Sequence, residues 1–131
     1  MNLLLDTQAL LWWREGNPRL GKRARATIAR DAADVRVSAA SVWEIAIKIQ
    51  TGRLPFREPV AVWMPAAIED SGFRALSVTI EHAVAVADLP QRHADPFDRL
   101  LIVQAQLENL TIVTSDTVFD DYDVKVLDAR R

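Results

Sequence analysis

Four acidic residues carry most of the chemical information in this sequence of 131 residues: Asp6, Glu44, Asp98 and Asp116. Four carboxylates in one pocket repel one another strongly unless a cation lies between them, and hard divalent ions such as Mg²⁺ or Mn²⁺ prefer oxygen ligands. Such an ion can polarise a phosphoryl oxygen and supply hydroxide near neutral pH. If the fold brings these acids together, the sequence predicts metal-dependent hydrolysis of phosphodiesters.

The elements that must position the acids follow from the hydrophobic pattern. Short apolar runs alternate with amphipathic segments along the whole chain, which predicts a single three-layer α/β domain, residues 1–131, around a mostly parallel sheet. We predict strands over 2–6, 35–38, 73–78, 110–114 and 125–127. We predict helices from 7 to the breakers at 16–18, and over 22–33, 41–51, 59–71, 79–87 and 95–109.

All four acids fall at one predicted edge of this sheet. Asp6 ends the first strand and Asp116 follows the fourth, while Glu44 and Asp98 lie in the first turn of helices. Ligands of open parallel sheets bind beyond the carboxyl ends of the strands, where such residues meet. The pattern therefore favours one shared site over four independent roles.

Each acid also has a purely structural explanation. Asp95, Pro96 and Asp98 match a helix start, and we assign Asp95 to that capping role. Glu44 and Lys48 are spaced as a helical ion pair. Asp6 and Asp116 could cap the segments that follow them. These explanations compete with function at all four positions. The apolar surroundings of Glu44 favour function there, because a carboxylate is costly to bury without a partner.

Composition narrows the chemistry. The chain has no cysteine and only two histidines, His82 and His93. A metal site should therefore be built from carboxylates, and zinc is a poor candidate for it. The net charge of −2 argues against nucleic-acid binding by bulk charge, although scattered arginines could line an acidic centre. We see no export signal and no stretch long enough to span a membrane, and expect a cytoplasmic protein.

The tryptophans suggest a partner. Trp12 and Trp13 are adjacent in a helix that is apolar on several sides, so at least one ring should reach an interface or groove. For Trp43 and Trp63 we expect core packing.

Four motifs in order resemble a branch of VapC-type PIN domains: Leu5-Asp6-Thr7 with Leu10-Leu11-Trp12, Ser41-Val42-Trp43-Glu44-Ile45 with Lys48 and Gly52-Arg53-Leu54, Asp95-Pro96-Phe97-Asp98-Arg99-Leu100-Leu101-Ile102, and Thr114-Ser115-Asp116 with Phe119 and Tyr122. The resemblance runs from the first strand to the last. It implies a homodimeric endoribonuclease that cuts RNA with Mg²⁺ or Mn²⁺ and is silenced by a cognate VapB antitoxin.

The same resemblance assigns roles to single positions. Asp6, Glu44 and Asp98 correspond to the family's core metal-binding acids, and Asp116 to the fourth and more variable one. Thr114 corresponds to a supporting hydrogen-bond donor. Gln8 stands where this branch often has histidine, which leaves the metal site intact and alters local substrate contacts. From this resemblance we also expect the antitoxin tail to lie over the groove beside the first helices and the acidic pocket.

Two other functions fit parts of the pattern. A phosphatase of the haloacid dehalogenase type has a similar architecture, but its first strand requires a second aspartate where Gln8 stands. A catalytically silent PIN-like module that binds RNA or protein would be expected to lack acids of the cluster, whereas all four are present. The sequence does not identify which RNA is cut.

Overall fold

Five parallel strands form the central sheet. The computed structural model describes residues 1–30 and 32–131. Its strands are β1 Asn2–Leu5, β2 Asp34–Ser38, β3 Arg74–Leu76, β4 Thr111–Thr114 and β5 Lys125–Asp128. They lie in the order β3-β2-β1-β4-β5, and every neighbouring pair is parallel. The predicted parallel sheet is confirmed, and β1 is its central strand.

Six helices connect the strands: α1 Thr7–Glu15, α2 Lys22–Ile28, α3 Ala39–Gln50, α4 Val60–Asp70, α5 Ile80–Ala85 and α6 Pro96–Glu108. Helix α2 ends five residues earlier than the predicted 22–33, and residue 31 of that range lies outside the described residues. None of the helices in the described parts of the chain combines the length and the apolar character needed to cross a membrane.

The sheet separates two hydrophobic cores. Leu3 and Leu5 of β1 pack with residues of α1, α2 and α4 on one face, whereas Leu4 packs with α6 residues on the other. Because successive side chains of a strand point to opposite faces, a run of three leucines supplies both cores at once. This arrangement confirms the predicted three layers and explains why Leu3, Leu4 and Leu5 are fully buried.

Helix α3 begins earlier than the sequence predicted. Its N-cap is Ser38, whose Oγ accepts a hydrogen bond from the backbone N–H of Ala40, and not Ser41. The predicted cap was wrong because β2 runs directly into α3 without a loop, so that the last residue of the strand serves as the cap. As a consequence, Glu44 lies in the second turn of α3 rather than the first.

The start of α6 is fixed by a buried guanidinium. Arg99 is only 9% exposed and donates to the backbone carbonyls of Val86, Leu89, Pro90 and His93, and to Tyr122 Oη, at 2.9–3.3 Å. These bonds tie the segment between α5 and α6 to the first turn of α6. Arg99 therefore determines where the loop ahead of Asp98 lies.

We expect Arg99→Lys to lower the free energy of unfolding by about 1–3 kcal/mol, because one ammonium cannot reach the carbonyls that the planar fork satisfies. Urea denaturation measures this change, and amide exchange over residues 86–93 should accelerate. Arg92→Lys is the control, since Arg92 reaches the carbonyl of Asp121 at the surface. Unchanged stability of Arg99→Lys would contradict the clamping role.

Candidate functional site

Asp6 lies at the carboxyl end of the central strand and is nearly buried. Its Oδ1 accepts a hydrogen bond from the backbone N–H of Ala9 at 2.7 Å and so caps α1, as predicted. Burial raises the pKa of Asp6 to about 6, and the hydrogen bonds from Thr114 and Ala9 oppose that rise only in part. The negative charges of Asp98 and Asp116 contribute to the raised pKa of Asp6, which places those two acids within electrostatic reach of Asp6.

Glu44 projects from α3 and is 8% exposed. Thr7 Oγ1 donates to Glu44 Oε1 at 2.6 Å, and Lys48 Nζ lies 2.9 Å from Oε2. The predicted Glu44–Lys48 ion pair is therefore present. The ion pair lies within α3 and does not connect Glu44 to α1. The hydrogen bond from Thr7 makes that connection, and since Thr7 directly follows Asp6, it holds Glu44 close to the start of α1.

Asp98 lies in the first turn of α6 with about a fifth of its side chain exposed. The pKa of Asp98 is raised to about 6, chiefly by burial; the hydrogen bond with His93 opposes the rise, and the nearby carboxylates of Asp95 and Glu44 contribute to it. His93 Nε2 is 2.8 Å from Asp98 Oδ2. Asp98 is thus charge-coupled to Glu44 on one side and to Asp6 on the other.

Asp116 is the outermost of the four acids. It follows β4, is exposed, and caps the short 3-10 helix Thr117–Asp121 through a bond from the backbone N–H of Val118. Thr114 Oγ1 accepts from the backbone N–H of Asp116 at 3.0 Å, so one threonine orders both Asp6 and Asp116. The structure therefore places Asp98 within electrostatic reach of Asp6 and of Glu44, with Asp116 exposed beside Asp6. Among the described residues, these four acids do not form a set whose ligand atoms all lie within 4.8 Å of one another.

His93 is the part of this region that sequence reasoning missed. One ligand atom from each of His93, Asp95 and Asp98 can be chosen so that all lie within 4.8 Å of one another. Asp95 is the helix cap that we predicted, and it uses Oδ1 for the backbone N–H groups of Phe97 and Asp98. The spacing His-x-Asp-x-x-Asp was visible in the sequence, but its meaning depends on the turn that precedes α6.

The second histidine has a structural role. His82 is 3% exposed, and its Nδ1 accepts a hydrogen bond from the backbone N–H of Thr79, the N-cap of α5. Gln104, which is fully buried, contacts His82 and accepts a hydrogen bond from Ser38. Through these contacts His82 links α5 to α6.

Two cations near the acids already have partners within the protein. Lys48 pairs with Glu44, and Arg99 is buried against backbone carbonyls. Arg92 is exposed in the segment before α6, and exposed Arg130 lines a small cleft with Asp116.

The donor set suits a hard divalent cation. Asp6 and Glu44 are buried and Asp98 is partly buried, and repulsion between such carboxylates favours a bound cation. Ser41 is fully buried, its Oγ has no hydrogen-bond partner among the described residues, and it precedes Glu44 by three positions on the same face of α3. An ordered water or a hydrated ion beside Glu44 would satisfy this hydroxyl.

The tryptophans follow the predictions in part. Trp12 and Trp63 are buried in the core, but Trp43 is 60% exposed and packs edge-on against Phe97 at 5.2 Å between ring centroids, so its predicted core position is wrong. Trp13 lines a hollow of about 440 Å³ with residues that include Val35 and Phe73. Since Val35 and Phe73 lie at the amino ends of their strands, this hollow opens away from the acids.

Comparisons with known proteins agree with this architecture. The family model described as PIN domain matches residues 3–125. The chain is 30% identical to Ribonuclease VapC22 of Mycobacterium tuberculosis (strain ATCC 25618 / H37Rv) over 115 residues, which is 87% of this chain and 86% of that protein.

Solved structures share the fold at lower identity. A chain in the crystal structure of VapBC2 from Rickettsia felis, bound to a DNA fragment from their promoter, superposes with a TM-score of 0.73 at 14% identity, covering 97% of this chain and 98% of that one. A chain of FitAcB from Neisseria gonorrhoeae gives a TM-score of 0.66 at 22% identity, covering 97% of both. With the family model matching nearly the whole length, the chain belongs to the PIN-domain family.

Proposed function

We propose that this protein is a metal-dependent endoribonuclease that acts as the toxin of a VapBC-type toxin–antitoxin pair. The observation that carries the proposal is the electrostatic coupling of Asp98 to two buried carboxylates, Asp6 and Glu44, at the carboxyl edge of the sheet. Core packing gives no reason to bury like charges together. The similarity to a protein named Ribonuclease VapC22 supplies the nuclease class.

In this proposal Asp6, Glu44 and Asp98 hold Mg²⁺ or Mn²⁺, with Asp116 completing the set from the rim. A bound ion of this kind polarises a phosphoryl oxygen and makes water a better nucleophile near neutral pH. The chain's own residues fix the acids: Thr7 orients Glu44, Thr114 orders Asp6 and Asp116, and His93 contacts Asp98. The polypeptide thus prepares the acids before the ion binds.

RNA binding in this proposal relies on local charge. The overall charge is −2, so phosphate contacts must come from cations placed near the acidic pocket. Arg130 and Arg131 follow β5 and are exposed, and Arg92 is exposed in the segment before α6. These side chains surround the carboxyl edge, where a phosphodiester must lie to reach the carboxylates.

The proposed protein partner is a VapB-type antitoxin, because the fold neighbours come from VapBC and FitAcB assemblies. An antitoxin segment that fills the hollow at Trp13 and also shields the acids would have to run along α1, which is about 14 Å long. This arrangement refines the expected position of the tail over the first helices. We propose that the pair acts in the cytoplasm.

A homodimer is the second proposed assembly. Ile80 and Val84 of α5 are 83% and 64% exposed and lie on one face of that helix. Trp43 is exposed beside an apolar hollow that Leu76 and Ser77 also line, just ahead of α5. Large apolar side chains grouped in this way mark protein interfaces more often than free surface, and a second copy of the chain would cover them.

The central test is cleavage of total RNA by the purified chain without antitoxin. We expect discrete cuts with Mg²⁺ or Mn²⁺, none with EDTA, and a loss of at least about 10- to 100-fold in Asp98→Asn, which keeps the size of the side chain but removes its charge. Asp123→Asn is the control, because Asp123 is an exposed acid at the opposite end of the sheet. A folded protein that cleaves nothing with either ion would instead indicate a silent binding module.

Removal of a buried charge should stabilise the metal-free protein. The pKa of Asp6 rises from 3.8 to about 6 on folding, so the folded state holds a proton that the unfolded state releases between about pH 4 and 6. Asp6 alone should lower the free energy of unfolding by up to about 3 kcal/mol as pH rises through this window, and Asp98, whose pKa is also raised to about 6, adds a fall of its own. Asp6→Asn, which can still cap α1, should therefore reduce the fall and leave the part due to Asp98 in denaturation curves measured with EDTA.

The exposed Asp116→Asn provides the comparison for that experiment, since it removes a charge at the same edge without burial. An Asp6→Asn protein with the same pH dependence as wild type would show that Asp6 is not the group responsible.

The homodimer proposal predicts that Ile80→Glu and Val84→Glu convert a dimer to a monomer in light scattering at micromolar concentration, because each places a carboxylate in an apolar contact. Leu107→Glu, at an exposed position near the end of α6, should leave the assembly unchanged. A wild-type protein that is monomeric throughout this range overturns the assignment of the surface.

A further inference from the structure

A nitrogen ligand stands beside the acidic pocket. Among the described residues, the set of metal-ligating side chains whose donor atoms lie within 4.8 Å of one another is His93, Asp95 and Asp98. Two of these residues are not among the four acids of the proposed metal site. Resting on that proposed site, we propose that His93 is a direct metal ligand together with Asp95 and Asp98, and that its nitrogen makes the site prefer Mn²⁺ over Mg²⁺.

The spacing of the donor atoms suits one ion. Two ligands bonded at about 2.1 Å and at right angles lie about 3 Å apart in an octahedral site. His93 Nε2 and Asp98 Oδ2 are 2.8 Å apart, so modest separation would admit a cation in place of the shared proton. Asp95 uses Oδ1 to cap α6, which leaves the other oxygen of its carboxylate for a third bond.

The position is accessible and held in place. The side chains of His93 and Asp98 are 24% and 20% exposed, which is enough for a hydrated ion to reach them. Arg99 donates to the carbonyl of His93 and to that of Pro90, so the loop with the imidazole is bound to the helix with both aspartates. The three ligands therefore form one small rigid unit.

Donor chemistry gives the preference between ions. Mg²⁺ is a hard cation that favours oxygen and water, whereas divalent first-row transition metals accept imidazole nitrogen more readily. A site of carboxylates alone would discriminate weakly between Mg²⁺ and Mn²⁺. One imidazole in the ligand set should increase the preference for Mn²⁺ over Mg²⁺. Such a ligand set differs from the purely carboxylate set that the composition predicted.

A different role for His93 would explain the same distance. The imidazole could serve only to orient Asp98 by hydrogen bonding, without touching the ion. His93→Gln separates the two roles, because its amide can still donate to Asp98 but does not provide an imidazole nitrogen. His93→Ala removes both the contact and the ligand.

The experiment uses Mn²⁺ and Mg²⁺ alone, without RNA, on the full chain freed of any antitoxin. Calorimetry measures both affinities, and pulsed electron paramagnetic resonance of the Mn²⁺ complex detects coupling to a ¹⁴N ligand. For wild type we expect such coupling and tighter binding of Mn²⁺ than of Mg²⁺. His93→Gln and His93→Ala should lose the coupling and at least about tenfold in Mn²⁺ affinity, with a smaller change for Mg²⁺.

Two further variants complete the design. Asp95→Asn retains a helix-capping side chain and should weaken Mn²⁺ binding, whereas Asp123→Asn removes one exposed negative charge elsewhere and should not. Circular dichroism establishes that each variant is folded. Unchanged Mn²⁺ affinity in Asp95→Asn would contradict the three-ligand set.

The outcomes distinguish this inference from the proposed function. Mn²⁺ bound without ¹⁴N coupling, or with full affinity in His93→Gln, overturns the role of His93 and leaves the carboxylate site standing. A wild-type protein that binds neither ion overturns both.

Discussion

The rest of the structure depends on the electrostatic cost of placing like charges together at the edge of a buried sheet. The pKa values of Asp6 and of Asp98 are raised to about 6, chiefly by desolvation, and the negative charges of neighbouring acids contribute to both rises. Such an arrangement is unfavourable unless other groups offset it. The surrounding donors do so in part: Thr7 and Lys48 for Glu44, and backbone N–H groups at the start of α1 for Asp6.

The parallel topology explains why the acids meet at this edge. β1 is central, with β2 and β4 as its neighbours, so the chain leaves three adjacent strands in the same direction. Asp6 follows β1 without a loop, and α3 continues directly from β2. The positive amino ends of α1 and α6 also lie at the acidic residues that cap or begin them, and helix dipoles stabilise negative charge there. A parallel sheet with short connections thus concentrates both the acids and the partial charges that make them tolerable.

Local patterns predicted what depends on neighbouring residues in the sequence. The leucines of β1, the Asp95-Pro96 start of α6 and the Glu44–Lys48 pair are all present in the structure. Their signals are short-range, since burial of a strand or capping of a helix involves residues a few positions apart. The position of Asp6, Glu44 and Asp98 at the same edge could be anticipated only through the rule that carboxyl ends of parallel strands share an edge.

What the sequence did not reveal depends on tertiary contacts. Hydrophobicity alone suggested a core position for Trp43, but this side chain packs against Phe97 of α6 beside an open hollow and remains exposed. The burial of Arg99 follows from a loop whose carbonyls turn towards α6, although arginine is usually a surface residue. His93 belongs to the same loop, so its distance from Asp98 could not be derived before that loop was known.

Residues 93 to 99 show how one short segment meets several requirements at once. Asp95 caps the helix, Asp98 faces the acidic pocket, and Arg99 points the other way into the carbonyls of the preceding loop. The guanidinium satisfies carbonyls that would otherwise be buried without donors, which stabilises the loop independently of any ion. Because the same helical turn carries Asp98 and Arg99, a movement of Asp98 would strain the bonds of Arg99. The buried guanidinium of Arg99 therefore limits how far Asp98 can move away from the neighbouring carboxylates. Their repulsion persists in the absence of metal, and a bound metal ion would relieve it.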